Sequence, residues 1–353
     1  MSDVNLQSVL LEYGITAARI TKIGGGLINS TWKVTDGETA YILQQINTHV
    51  FSDPYLIAAN TQSLKEHLKT IGSDYPLVAE IPTSSGKLIV QKAEDYFRLL
   101  PFVDNSTTIS VVETPEQAYE ASYQFGSFTK AFSTFDAARL HTTIPQFHDL
   151  ALRYAQFVDA VKNGNKNRIA ACKNEIEAIQ SHAYLVNDWR QFVANSEARQ
   201  RVTHHDTKIS NVLFDDAGRG LCVIDLDTVM PGYFLSDVGD MMRTYLSPAN
   251  EEEADYSKLQ VRTEFFEAVA RGYLQNMADT LASVELRSFA KSGGWLTYMQ
   301  ALRFLADYFN DDRYYGARYE QQNLVRANNQ LALLRHLLAH EGEFQSFVMR
   351  NFR

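Results

Sequence analysis

The chain has 353 residues, 45% of them apolar and 21% charged, with a net charge of −9. That length exceeds what one hydrophobic core usually supports, so two lobes are expected. The acidic balance and the lack of a basic stripe exclude a nucleic-acid-binding surface, and no run approaches the ~18 apolar residues of a membrane span.

The opening stretch MSDVNLQSVLLEYG has no basic region and carries Asp3 and Glu12, which argues against a signal peptide and for a cytoplasmic protein. From Ala18 to Val34 the sequence reads as a short strand, the triple Gly24, Gly25, Gly26, and a second strand STWKV. YILQQI at 41–46 reads as a further strand. Pro54 to Lys69 reads as a helix, with Leu56, Ala59, Leu64 and Leu68 at helical spacing. Gly86 marks a turn between LVAEIP and KLIVQKA, and Pro101 keeps the apolar run YFRLLPFV at 96–103 out of a central strand. Helical periodicity then covers Pro115 to Phe132, Ile144 to Val161 and Asn167 to Ala194. Val202 to Asp227 breaks the pattern with short β-rich pieces around polar loops. Helices resume at Tyr256 to Ala282, Ser288 to Tyr308 and Gln322 to Arg350. Cys172 and Cys222 lie far apart without metal-ligand spacing and read as free, buried thiols. The order predicts an α+β chain. A strand-rich lobe at 1–103 meets a mainly helical lobe at 104–353 across a Pro-containing junction, and the cleft between them is the favoured ligand site.

The segment VTHHDTKISNVLFDDAGRGLCVIDLDTVMPGYFLSDVGD at 202–240 is the richest in chemistry. VLF and LCVIDL are apolar strands joined by the turn DDAGRG, and a hairpin returns the end of its second strand beside the start of its first. Asp225 is therefore expected near Asp206 and Asn211. Two carboxylates and an amide oxygen at a loop edge suit a hard cation, with magnesium the usual choice. One carboxylate is left to accept a hydroxyl proton, and Lys208 adds positive charge two residues away. Phosphoryl transfer needs those parts: a base, a metal and a cation to neutralise the transferring group.

HxDxKxxN followed by IDLD resembles the catalytic and metal loops shared by protein kinases and the aminoglycoside phosphotransferase family. The resemblance implies a two-lobed protein-kinase-like fold using ATP and Mg2+. It makes Asp206 the catalytic base, Asn211 and Asp225 the metal ligands, and brings Lys208 near the γ-phosphate. His204 would brace the loop, and Asp237 and Asp240 would anchor it. Upstream, Gly24, Gly26 and Asn29 stand where a G-x-G-x-x-G loop covers phosphates, with Asn tolerating positive φ in the last place. Leu100, Phe102 and Val103 would border adenine at the hinge.

Such kinases usually carry a lysine on the next strand, paired with a glutamate on the following helix. Here the strand offers Gln44 and Gln45, and the helix offers Gln62 or Glu66. Either an amide contact from Gln44 suffices at the nucleotide, or another cation such as Lys33 or Arg98 substitutes.

Over residues 15–335 the chain resembles the N-acetylhexosamine 1-kinase branch of this family. The matching stretches are INSTWKV, YILQQIN, FHD at 147–149, THHDTKISNVL, IDLDTVMPG, RFLADYF and NLVR. Leu27 departs from it, because a histidine is expected there. The branch implies an amino-sugar substrate phosphorylated at its anomeric hydroxyl, which Asp206 must reach, with Arg303 and Tyr314 in contact with the sugar. No obligate protein partner is implied. The alternatives are a kinase of another small hydroxyl compound (aminoglycoside, choline, homoserine or methylthioribose) or an inactive binding relative. A cationic acceptor demands a ring of carboxylates or an aromatic cage, and the sequence offers no such cluster beyond Asp311, Asp312 and Glu320.

Overall fold

The structure, a computed structural model, describes residues 5–24 and 28–352. It opens with a short helix α1 (Leu6–Leu10) and strands β1 (Arg19–Ile23), β2 (Ser30–Asp36) and β3 (Thr39–Ile46). Helix α2 (Pro54–Ile71) follows. Its start is set by Asp53, whose side chain caps the Tyr55 N–H, and by Pro54 at the first position; Gly72 at φ +66° ends it. Strands β4 (Val90–Lys92) and β5 (Asp95–Pro101) complete an antiparallel five-stranded sheet in the order β1-β2-β3-β5-β4. Alternation along the strands buries Val34, Leu43, Val90, Phe97 and Leu99 on one face, where Val9, Leu10 and Ile15 cover them. The other face carries Thr31, Gln44 and Arg98 in register across β2, β3 and β5.

The rest of the chain is mostly helical. A two-residue strand β6 (Thr107–Thr108) precedes α3 (Pro115–Ala131), which begins on a capping box between Thr114 and Gln117. The next helix, α4 (Leu150–Asn163), starts six residues later than its periodicity suggests, because Asp149 caps the Ala151 and Leu152 N–H groups. The single helix expected over 167–194 is three: α5 (Lys166–Ala171), α6 (Lys173–Ser181) and α7 (Tyr184–Val193). Cys172 leaves helical geometry, and the bends let Cys172, Ile179, Leu185, Trp189 and Phe192 all reach the core.

Strands β7 (Gln200–Thr203), β8 (Val212–Phe214), β9 (Gly220–Val223) and β10 (Met230–Tyr233) form the small β region. β8 and β9 pair as the expected hairpin, with β6 on its outer edge, and β7 pairs with β10. Helices α8 (Leu235–Tyr245), α9 (Thr263–Met277), α10 (Ser283–Ser288), α11 (Lys291–Phe309) and α12 (Gln322–Asn351) follow. α3 and α9 cross closely. A Cβ on Gly126 would sit 2.7 Å from the Tyr273 carbonyl oxygen, so only glycine permits that approach. Cys172 and Cys222 are free and buried, and among the described residues no helix is long and apolar enough to cross a membrane.

Candidate active site

The loop after β7 is held by two buried aspartates on α8. Asp237 accepts the N–H groups of His204 at 3.0 Å and His205 at 2.7 Å. Asp240 accepts the Thr207 N–H at 3.0 Å, and Thr207 Oγ1 donates to the Asp237 carbonyl. Burial pushes the Asp237 acid up to about 7, against those two N–H bonds. His204 Nε2 donates to the Ile224 carbonyl at 3.0 Å, so the neutral ring keeps Nδ1 to accept the Asp206 N–H at 3.3 Å. Burial lowers its pKa, and the edges of Phe125 and Phe128 pack against the ring. His205 adopts φ +66°, a strained conformation that turns its side chain away from that of His204. Its ring lies against Gly232, where a Cβ would come within 2.5 Å of it.

The loop and the hairpin meet at one point. Asn211 accepts the Ile224 N–H at 2.9 Å on its carbonyl, which places Asp225 beside the loop. The Asn211 amide donates to the Asp206 carbonyl at 2.9 Å and to Asp206 Oδ2 at 3.2 Å, leaving its own Oδ1 with acceptor capacity to spare. Lys208 Nζ lies 3.1 Å from Asp206 Oδ1. Burial alone would lower the Lys208 ammonium, but Asp206 and Asp240 carry it above its ordinary value. Asp225, at φ +61°, is open to solvent yet walled by protein. Desolvation first, and the Asp227 and Asp206 carboxylates next, push its acid up to about 7.

A divalent cation would relieve that accumulation of negative charge. Among the described residues no three His, Cys, Asp or Glu side chains form a metal cage. The residues fit a cation that takes one or two protein carboxylates and fills its shell with phosphate and water, which is how magnesium is usually held.

Across the cleft, the sheet presents a buried cation that does not come from β3. Arg98 on β5 donates to Gln44 Oε1 at 2.9 and 2.7 Å, lies 3.4 Å from Glu80 and 2.5 Å from Asp227. Gln44 thus spends its amide oxygen on Arg98, and its Nε2 donates to Thr31. The glutamate expected on α2 is absent from this network. Gln62 and Glu66 bond to each other one turn apart on the exposed face, and Glu80 from the following segment approaches Arg98 instead. Lys33 sits over the Phe102 ring at 3.6 Å. Asn29 donates to Asp227 Oδ2 at 2.7 Å, and Gly24 is exposed; Gly26 and Leu27 lie outside the described residues.

Arg303 on α11 lies among rings, 5.3 Å from Phe147, 5.7 Å from Tyr314 and 5.3 Å from Tyr315. It donates to Gln300 and, at 3.4 Å, to the hydroxyl of the exposed Tyr314. Phe147 stacks on His148, which shares a 3.4 Å hydrogen bond with His205. Burial, the neighbouring His205 and Arg303 hold His148 well below the ordinary histidine range. Nearer the loop, Arg243 pairs with Asp240 at 2.7 Å and Glu251 at 3.1 Å, and Arg326 pairs with Glu251. Tyr315 lies 5.1 Å from Arg326 and 5.3 Å from Arg303, so a wall of paired charges and rings runs from Asp240 to Arg303. The Arg243–Glu251–Arg326 chain had no sequence signal, because its members combine no recognisable spacing.

A cavity of about 450 Å³ opens at the junction, lined by Pro76, Leu77, Val78, Pro101, Val103, Asp104, Leu221 and Cys222. Of the expected adenine contacts, Val103 borders it and Leu100 and Phe102 do not.

The whole architecture recurs in solved proteins. An aminoglycoside phosphotransferase from Alicyclobacillus acidocaldarius matches at 16% identity over 97% of this chain and 98% of that one, with a TM-score of 0.65. A microcompartment-associated aminopropanol kinase matches at 16% identity over 96% and 98%, with a TM-score of 0.62. A spectinomycin phosphotransferase solved with ADP and spectinomycin matches at 14% identity over 96% and 99%, with a TM-score of 0.59. The fold is therefore the kinase-like one expected, strand-rich first and helical after. Residues 19–278 match the phosphotransferase enzyme family (APH), to which this chain belongs.

Proposed function

We propose that the chain transfers the γ-phosphoryl group of ATP to the anomeric hydroxyl of an N-acetylhexosamine such as GlcNAc or GalNAc, with Mg2+ as its cation. The observation that supports the chemistry is the meeting of Asp206, Asn211 and Asp225 where the β8–β9 hairpin folds back on the loop. Asp206 accepts the proton of the attacking hydroxyl. Lys208, paired with it, offers positive charge to the phosphoryl oxygens. Asn211 and Asp225 would hold Mg2+, which would supply further neutralisation of the triphosphate. His204, Asp237 and Asp240 fix the loop so that Asp206 meets the hydroxyl in one geometry. On the sheet side, Gly24, Gly26 and Asn29 cover phosphates, and Val103 borders the base near a lobe boundary at 103.

The acceptor assignment rests on charge. Asp240 and Glu251 on the wall are each neutralised by arginine. Arg303 has no carboxylate partner among the described residues, and Arg153 beside it donates only to Gln156 and main-chain carbonyls. That surplus positive charge disfavours an ammonium-bearing acceptor. It suits a neutral sugar, whose hydroxyls and acetamido oxygen accept from Arg303 while Tyr314 packs on the ring.

The test is ADP release with ATP, Mg2+ and a panel of free sugars, N-acetylhexosamines, aminoglycosides and amino alcohols. Turnover is expected with N-acetylhexosamines and abolished by Asp206→Asn at an unchanged melting temperature. Turnover confined to amino alcohols or aminoglycosides overturns the acceptor assignment, and a near-normal Asp206→Asn removes that residue from the base role.

A further inference from the structure

Asp227 stands two residues beyond the candidate metal ligand, and the sequence gives no reason to separate the two carboxylates of IDLD. Their surroundings do. Asp225 is open to solvent, whereas Asp227 is 2% exposed and both its oxygens face the sheet. Oδ2 accepts the Asn29 amide at 2.7 Å, and Oδ1 lies 2.5 Å from Arg98. Asn29 in turn accepts the Asn47 N–H at 3.0 Å on its own Oδ1, which ties the segment before β2 to the end of β3. Arg98, also 2% exposed, spreads its remaining donors over Gln44 and Glu80. From below, Thr143 Oγ1 donates to the Asp227 carbonyl, and the Asn60 amide donates to the Val229 carbonyl.

We propose that Asp227 is a positioning residue that latches Asn29, ahead of β2, and the sheet onto the metal loop, and that Arg98 is the cation holding it there. A carboxylate shared between a guanidinium and an amide is badly placed to ligate a second cation. Each of the two aspartates therefore has one task. Arg98 stands where the expected lysine would act, but it grips the neighbouring loop instead of a free nucleotide. The latch sets the height of the segment carrying Asn29 over Asp225, and so the space left for a triphosphate. Its kinetic consequence rests on the phosphotransfer reading; its structural consequence does not.

The test compares Asp227→Asn, Asn29→Ala and Arg98→Lys with the parent protein, using amide hydrogen exchange without ligand and steady-state kinetics. Exchange is expected to accelerate at 28–47 in all three variants, the Asn47 amide included, with helices α9, α11 and α12 unchanged as a folding control. KM for ATP is expected to rise roughly tenfold in Asn29→Ala, with the Mg2+ concentration for half-maximal rate unaltered and no further rise when Asp227→Asn is added. Exchange at 28–47 equal to the parent's in Asn29→Ala overturns the latch. So does a Asp227→Asn protein with parental exchange that needs far more Mg2+, which would make Asp227 a metal ligand. A parent that turns over no acceptor, with exchange still accelerated in the variants, would sink the phosphotransfer reading and leave the latch standing.

Discussion

Asp237→Asn isolates the support of the candidate catalytic loop from its chemistry. The Asp237 side chain is fully buried, and its two oxygens accept the N–H groups of His204 and His205 at 3.0 and 2.7 Å. Asparagine has the same shape but one acceptor, so its NH2 must face one of the two N–H groups. Losing one charge-assisted hydrogen bond costs about 2–3 kcal/mol. At roughly 2 °C per kcal/mol for a chain of this size, the melting temperature should fall by a few degrees at pH 8. Burial pushes the Asp237 acid up to about 7, so near pH 5.5 the native side chain is itself protonated and already presents a donor there. Protonation in the native state alone then adds about 1.4 kcal/mol per pH unit to the parent and nothing to the asparagine variant, so the difference between the two proteins should widen on acidification. The same substitution loosens the main chain next to Asp206, and a displacement near 1 Å costs about 100-fold in rate. Thermal melts at the two pH values and kcat with ATP and the preferred acceptor measure both effects. A substitution with parental stability at pH 8 and parental kcat would refute the account.

Asp225→Ala should abolish Mg2+-dependent nucleotide binding in titration calorimetry while leaving the melting temperature within a degree or so of the parent; unchanged affinity counts against the metal assignment. Gly232→Ala drives a Cβ to within 2.5 Å of the buried His205 ring, and the overpacking should cost about 1–3 kcal/mol in urea unfolding. Stability should also fall with acid. Burial holds the His205 pKa down at about 3 and lowers His204 and His148 as well. The unfolded chain titrates near 6.5, so below that pH it binds the extra protons, and each histidine removes about 1.4 kcal/mol per pH unit. Asp237 opposes them, its contribution growing as pH falls from about 7 toward 3.8. His205→Gln should therefore flatten the loss of stability between pH 6.5 and 5 by about one proton's worth, and an unchanged slope in urea midpoints would contradict its burial as a neutral ring.

The sequence by itself determined whatever short range decides. His204, Asp206, Lys208 and Asn211 share one loop, and Asp225 is a single hairpin away, so turn chemistry and strand alternation were enough to bring them together. Apolar spacing likewise marked the starts of α2, α3 and α12. Only tertiary structure decided what the cation beside Gln44 pairs with. Asp227 meets Arg98 from 129 positions along the chain and Asn29 from 198, and periodicity carries no information about partners that far apart. The breaks near Cys172 and His182 were equally hidden, since the apolar spacing runs straight through them and the bends answer to the core those residues must share. Likewise, nothing in IDLD distinguishes its two aspartates. Their difference is one of burial: one side chain opens to solvent beside the loop and the other closes against the sheet.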